Sequence, residues 1–378
     1  MDFEFSADQE MLRDSVRRFL ADRAPTTYVR SMLDDERGTT DAVWNGLAEL
    51  GVTGLLAPEP YGGAGMGMVD MATVLEELGR AVHPGPFTSS AVGAVSAVAL
   101  AGSAEDQERL LPDLASGARV GALAIYEAGR RAAWQAPSVE AAGSGTETTL
   151  TGEKVHVADG AGADVLVVSG RDADGALGLF EVDARALGVR RTPAPTVDGT
   201  RKEATVTFDA APARRLAGDD TLGALAATVD RTRVAMVVDG VGAASRALDI
   251  AVEYAKTRRQ FDRPIGSFQA VQHLCADMLR AVELSRAAGY YACWACDAAD
   301  AGERHRATTL ALAAASDGLY QVGASAIQVH GGIGFTWEHD IHLYYKRLLT
   351  LQHIAGGASD QLEELASIAL EGAGAESA

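Results

Sequence analysis

Arg258-Arg-Gln-Phe-Asp-Arg-Pro-Ile-Gly-Ser-Phe-Gln269 and Gln328-Val-His-Gly-Gly-Ile-Gly-Phe-Thr-Trp-Glu-His-Asp340 carry the densest chemistry in the chain. The first stretch joins two long helical patterns. Arg258 offers a rigid fork of donors matched to phosphate oxygens. Gln269 adds amide donors and acceptors, and Phe261 adds a flat apolar face. In the second stretch Gly331, Gly332 and Gly334 allow positive φ and close backbone approach. A chain that turns this way can aim successive N–H groups at an anion. Taken singly, each stretch is also what a turn between helices looks like.

The surroundings place both stretches among helices. Segments near 222–257, 266–300 and 305–329 are rich in Ala, Leu and Val with charges on their outer faces, the pattern of a four-helix bundle over 221–370. The small, polar residues 371–378 are expected to fray as a flexible tail. Upstream the texture is β. Thr149–Val157, Asp164–Ser169, Leu177–Val182 and Ala204–Phe208 are short β-rich runs punctuated by Gly, Asp and Pro. They predict a middle β-barrel or sandwich over 121–215. Residues 1–120 are helical again. Ser6-Ala-Asp-Gln9 has the form of a capping box, Leu12, Val16, Phe19 and Leu20 share one helical face, and Val43, Trp44, Leu47 and Leu50 form a second stripe ended by Gly51. The expected fold is mainly α with a β-domain in the middle, three domains around a cleft.

Composition narrows the function classes. The chain has 378 residues, 47% of them hydrophobic, and a formal charge of −19. Such an acidic surface repels nucleic-acid phosphates and anionic membranes, so neither is an expected partner. The three Cys are few and odd in number, as in a reducing compartment. Cys293 and Cys296 have CxxC spacing, but no strand leads into them and no second Cys/His pair is spaced for zinc, so they read as small residues of a helix and no metal site is expected. Asp2, Glu4, Asp8 and Glu10 occupy the place of a basic signal-peptide region. The uncharged run from Thr88 to Ala104 is too short and too polar for a membrane span. A cytoplasmic protein is expected.

Together the two quoted stretches resemble the acyl-CoA dehydrogenase family. The first matches its flavin-binding R-x-x-F-x-x-x-I-x-x-x-Q segment and the second its Q-x-x-G-G-x-G-F segment. Other stretches agree in order along nearly the whole chain. Leu56-Ala-Pro-Glu-Pro-Tyr-Gly-Gly63 is similar to the P-E-x-Y-G-G loop, Leu111-Pro-Asp-Leu-Ala-Ser-Gly117 to the L-P-x-L-x-x-G before the β-domain, and Asp230-Arg-Thr-Arg233 to the D-x-x-R opening the third domain. The resemblance implies FAD as cofactor, held through Arg258, Gln260, Phe261, Gln269, Gln328, Gly331 and Gly332. It implies an acyl-CoA thioester as substrate, contacted by Arg233, and electron-transfer flavoprotein as acceptor. In such enzymes a carboxylate removes the α proton while flavin accepts the β hydride.

This sequence departs from the family at the base. The family's glutamate, in a Y-E-G-T context, falls on Ala355, and the alternative position used by some members falls on Thr232. Neither side chain is basic enough, so the chain is expected to be inactive alone and its catalytic residue is unassigned. The family's T-E-P-x-A-G-S-D loop is here Tyr126-Glu-Ala-Gly-Arg-Arg-Ala-Ala133, its W-x-T is His156-Val-Ala158, and its T-x-Q is Gly357-Ala-Ser359. The resemblance implies that the segments kept are those reaching a neighbouring subunit's flavin, while the contacts to the chain's own flavin are altered. That sorting points to one half of a heteromeric dehydrogenase whose partner subunit carries the glutamate, and the resemblance to actinobacterial members implies steroid side-chain CoA thioesters as the substrate class. The alternatives on the same fold are a flavin monooxygenase or N-hydroxylase, which needs no α-proton base, and a non-catalytic assembly subunit.

Three further groups invite a functional reading. His156 is a base or a surface histidine. Glu338, His339, Asp340 and His342 are a metal cluster or, as preferred here, a solvated helix face that contacts a neighbouring subunit. Glu127 is a displaced acid whose direction depends on the altered loop around it.

Overall fold

The computed structural model describes residues 5–129, 133–143, 147–353 and 356–376. Helices α1 (Ala7–Arg23), α2 (Thr26–Ser31), α3 (Asp41–Glu49), α4 (Met68–Arg80), α5 (Val95–Ala101) and α6 (Ala104–Ala115) come first. Strands β1 (Gly121–Ala124), β2 (Glu140–Ala142), β3 (Thr148–Ala158), β4 (Val165–Arg171), β5 (Leu177–Asp183), β6 (Val189–Ala194) and β7 (Glu203–Arg215) follow. The rest is α7 (Thr221–Thr257), a two-strand hairpin of β8 (Arg259–Gln260) and β9 (Arg263–Pro264), then α8 (Gln269–Ala298), α9 (Ala301–His330), α10 (Ile341–His353) and α11 (Ala358–Glu376). The fold is thus mainly α with a central β region, as the sequence predicts. The last helix runs to Glu376, so residues placed in a flexible tail from Glu371 continue a helix. Ala-rich sequence with no Pro or β-branched run sustains it.

Two compact units interleave along the chain. One comprises Met1–Val29, Ala72–His83 and Arg233–Ala378; the other comprises Arg30–Met71 and Pro84–Thr232.

In the helical unit Ser6 caps α1 through a reciprocal box: Gln9 N–H donates to Ser6 Oγ, and Ser6 N–H donates to Gln9 Oε1. Helices α4 and α7 cross at backbone contact. A Cβ on Gly79 would lie 1.9 Å from Asp239 O, and one on Gly242 would lie 1.9 Å from Glu76 O. Any larger residue at either position would force the helices apart. The same crossing is tied by a buried ion pair. Arg347 Nη1 donates to Asp239 Oδ1 at 2.8 Å, and Arg347 Nη2 donates to His83 O at 3.1 Å.

In the other unit the strands form a barrel. The order is β1-β4-β2-β3-β7-β5, and β5 also pairs with β4, so the path from β4 through β7 closes on itself. Closure leaves those five strands without edges, and β1 and β6 flank them on β4 and β7. Inward residues such as Leu150, Phe180, Val206 and Phe208 fill the interior. The pairing of β3 with β7 shifts register between Leu150 and Gly152 and again between Lys154 and Val157. Those bulges re-aim the side chains beside them.

Candidate cofactor-facing surface

Arg258 follows the last helical turn of α7 and is exposed; its N–H donates to Tyr254 O at 2.8 Å. The chain then reverses within four residues. Arg259 pairs with Pro264 and Gln260 with Arg263, leaving Phe261 and Asp262 at the tip with φ of 52° and 63°. Two successive left-handed residues are what a tight primed hairpin turn requires. A bulky aromatic there is strained, and Phe261 is 86% exposed. Two contacts hold the turn: Arg259 Nη2 donates to Asp262 O at 2.6 Å, and the Phe261 ring meets Phe268 edge-on at 6.1 Å. Gln269 opens α8 and is exposed.

The second segment begins at the C-terminus of α9. Gln328 is exposed on its last turn. Gly331 has φ of 63°, and added Cβ atoms on Gly331 and Gly332 would meet nothing within 4 Å. Nothing inside this chain therefore demands that Gly332 lack a side chain; the open space lies outside. Ile333, Phe335 and Trp337, at 43%, 80% and 63% exposure, continue the turn as an apolar border. The ring of Tyr254 stacks on that of His330, centroids 4.5 Å apart. Tyr254 sits one turn before Arg258 and His330 directly before Gly331, so this stack joins the hairpin end of α7 to the glycine turn. Arg258, Gln260, Phe261, Gln269, Gln328, Gly331 and Gly332 all present exposed faces from one unit. A guanidinium, three amides and open glycine backbone fit a pyrophosphate-bearing cofactor arriving from outside the chain.

The remaining candidates do not supply a base. Ala355 lies outside the described residues. Thr232 Oγ1 donates to Thr228 O at 2.8 Å, an ordinary helix back-bond. Glu127 is closed in by the barrel. Lys154 Nζ, fully buried, donates to Glu127 Oε1 at 2.7 Å and to Ser169 Oγ at 3.0 Å. Ser138 adds its N–H at 2.7 Å and its Oγ at 2.6 Å. Burial pushes the Glu127 pKa up, but the Lys154 and Ser138 bonds outweigh it and bring it down to about 2. Such a carboxylate stays ionised and is a structural counter-ion rather than an acid. His156, at φ 52°, is exposed and its Nδ1 lies 2.7 Å from Glu203 Oε2. Arg233 is 7% exposed and its Nε finds no hydrogen-bond partner among the described residues. It acts on Glu364, which His305 holds at 2.8 Å.

Two other sequence readings change or firm up. Of the four residues Glu338, His339, Asp340 and His342, Glu338 is exposed and His339 and Asp340 are half-buried, while His342 is packed rather than solvated. His339 lies tilted against His330, centroids 4.4 Å apart, and His342 is 8% exposed with Trp337 edge-on against it at 4.8 Å. The fold turns these rings inward because α10 starts at Ile341 and packs on α9. Among the described residues no cluster of ligating side chains suits a metal ion. Cys293 is fully buried and burial pushes its thiol up, so it is not a reactive pair with Cys296. No described helix is long and apolar enough to cross a membrane.

The acyl-CoA dehydrogenase C-terminal domain matches residues 222–369 and the acyl-CoA dehydrogenase N-terminal domain matches residues 6–118. Acyl-CoA dehydrogenase IpdE2 of Mycolicibacterium smegmatis is 33% identical over 363 residues, 95% of this chain and 98% of the relative. The chain belongs to the acyl-CoA dehydrogenase family. Among solved members, the Tcur3481-Tcur3483 steroid acyl-CoA dehydrogenase, determined as a variant, is 34% identical. It has a TM-score of 0.88 and covers 97% of this chain and 99% of its own. The ChsE4-ChsE5 complex from Mycobacterium tuberculosis is 28% identical with a TM-score of 0.89, covering 98% and 99%. Within this acyl-CoA dehydrogenase the sequence motifs locate the exposed segments. They do not reveal Tyr254 as the partner of His330, or Lys154 as the partner of Glu127. The one sequence signal for the latter is a lysine at an inward position of β3, where the alternation calls for an apolar residue.

Proposed function

We propose that this chain is one subunit of a heteromeric, FAD-dependent acyl-CoA dehydrogenase of steroid side-chain breakdown, and that it completes the FAD site of a partner subunit carrying the glutamate base. The observation that carries the reading is the contrast between sites. Arg258, Gln269, Gly331 and Gly332 are exposed and open, while the carboxylate nearest the altered flavin loop is sealed by Lys154. Two of the solved relatives carry paired names, a ChsE4-ChsE5 complex and a Tcur3481-Tcur3483 steroid acyl-CoA dehydrogenase.

Bound FAD supplies the acceptor for the substrate's β hydride. Arg258 and Gln269 would hold its pyrophosphate end, with Gln260 and Gln328 as further amide contacts and Phe261 as an apolar face. The open turn at Gly331 and Gly332 would let the same phosphates come close to backbone, while the Gly331 N–H itself stays bonded to the α9 carbonyls of Ile327 and Gln328. Arg233 keeps a buried cation for the anionic acyl-CoA. Removal of the α proton falls to the partner, because this chain offers Ala355, a back-bonded Thr232 and a locked Glu127. Electron-transfer flavoprotein takes the electrons, and the complex works in the cytoplasm.

Co-expression with a glutamate-bearing subunit tests this. The lone chain is expected to hold little FAD and the mixed complex to be yellow. Arg258→Ala should cost the complex about 1.5–3 kcal/mol of FAD binding, the worth of charge-assisted bonds, with assembly on gel filtration unchanged. Ala355→Glu should leave the lone chain without useful turnover, since a base without an oriented acceptor does nothing. A yellow homo-oligomer with a full complement of FAD would refute the reading.

A further inference from the structure

The rings beneath the exposed surface form a third element. His330 stacks on Tyr254 at 4.5 Å and 27°, and His339 lies 4.4 Å from His330 at 56° and 6.5 Å from Tyr254 at 80°. Tyr254 belongs to α7, His330 to α9 and His339 to the segment before α10. His330 is 4% exposed, and its Nδ1 lies 2.7 Å from Ala326 O. A carbonyl accepts only, so Nδ1 carries the proton and Nε2 is the bare nitrogen of a neutral ring. Nε2 has no hydrogen-bond partner among the described residues. A buried imidazole with one bare nitrogen can change state only by taking up a proton.

We propose that Tyr254, His330 and His339 form a clamp that holds the Arg258 hairpin and the Gly331 turn in one fixed relation, with His330 as its acid-sensitive positioning residue. The proposal rests on the reading of those two segments as contacts to a partner's cofactor. Each segment alone is short: the hairpin has two residues per strand, and the turn follows directly on a helix end. A stack between the helix termini just before them removes the freedom each would otherwise have. A preorganised surface binds without first losing that freedom.

Acid breaks the clamp for a stated reason. The titratable groups facing His330 are Tyr254 from α7 and His339 from the segment before α10, with Glu338 and Asp340 flanking His339 and Arg258 one turn beyond Tyr254. Burial holds the His330 pKa below the usual histidine value, and His339 adds to this against the Ala326 bond. A depressed histidine binds its proton more readily when released. The clamp is therefore fully held above about pH 6.5, the free value, and loosens as the pH falls below it.

The first test uses the full-length lone chain. Hydrogen exchange, corrected for its intrinsic pH dependence, is followed at 258–268 and 331–340. His330→Ala should speed both segments together at neutral pH. Acidification from about pH 7.5 to about 5.5, across the histidine range, should do the same to the native chain. His330→Phe keeps a stacking ring without a titratable nitrogen, so acid should no longer change the two segments together. The second test is FAD titration of the mixed complex. His330→Ala should weaken binding about tenfold, a typical coupling between linked elements, and His330→Phe should abolish the acid-dependent part. The clamp is refuted if His330→Ala loosens the turn but not the hairpin, or if His330→Phe responds to acid as the native chain does. Joint loosening with Arg258→Ala inert toward FAD would keep the clamp and remove the cofactor reading instead.

Discussion

The hairpin–glycine surface and the Glu127–Lys154 pair handle charge in opposite ways. At the surface Arg258 has no carboxylate within ion-pair distance among the described residues and faces outward. In the barrel Lys154 is fully buried and its charge is spent inside the chain on Glu127. A buried cation left unpaired is costly, so it comes with a partner. An exposed cation is solvated and can stay available for a ligand. The two sites therefore differ in what a substitution should change: stability in the barrel, ligand binding at the surface.

The largest expected effect is in the barrel. Lys154→Ala leaves Glu127 buried without its counter-ion and should cost about 3–5 kcal/mol, read from urea denaturation. Replacing both partners, Lys154→Met with Glu127→Leu, should recover most of it, because an apolar pair of similar volume has no desolvation to offset. Recovery of nothing would mean that Ser138 and Ser169, left without their partners, dominate. The same pair sets an acid limit. Glu127 is depressed to about 2 in the folded chain against an ordinary 4.5. A lowered carboxylate adds stability that is present above the unfolded value and is lost as the pH falls from there toward about 2. Urea midpoints should follow that slope in the native chain and flatten in the double variant.

At the surface the effects shift from stability to binding. Gly331→Ala places a Cβ at φ 63° and should cost about 1 kcal/mol of stability from backbone strain alone. Gly332→Ala meets no atom within 4 Å in the chain, so its thermal midpoint should stay put while FAD retention by the mixed complex falls. Equal stability losses for both glycines would show that the turn is read wrongly. The smallest effect belongs to His156→Ala, an exposed side chain paired with Glu203 among the described residues; it should stay within about 0.5 kcal/mol.

Much of this was legible before any coordinates. The alternation of helical and β texture, the Ser6 box and the stripes of α1 and α3 follow from periodicities of a few residues, which covalent geometry imposes on any helix or strand. The Arg258 and Gly331 segments were legible for the same reason, since their chemistry is contiguous. His342 is packed where the sequence suggests a solvated face, because a solvated face and a packed face differ only in which helix lies opposite.

Contacts between residues far apart in sequence came from tertiary structure alone. Lys154 reaches Glu127 because its inward position on β3 and the closure of the barrel bring its charge beside that carboxylate. Tyr254 meets His330 because α7 and α9 end together. The sequence states which groups the chain owns and which neighbours they have along it. Register and helix packing decide which of them are sealed against each other and which stay open to a partner, since the desolvation that separates the two fates exists only once the chain has folded.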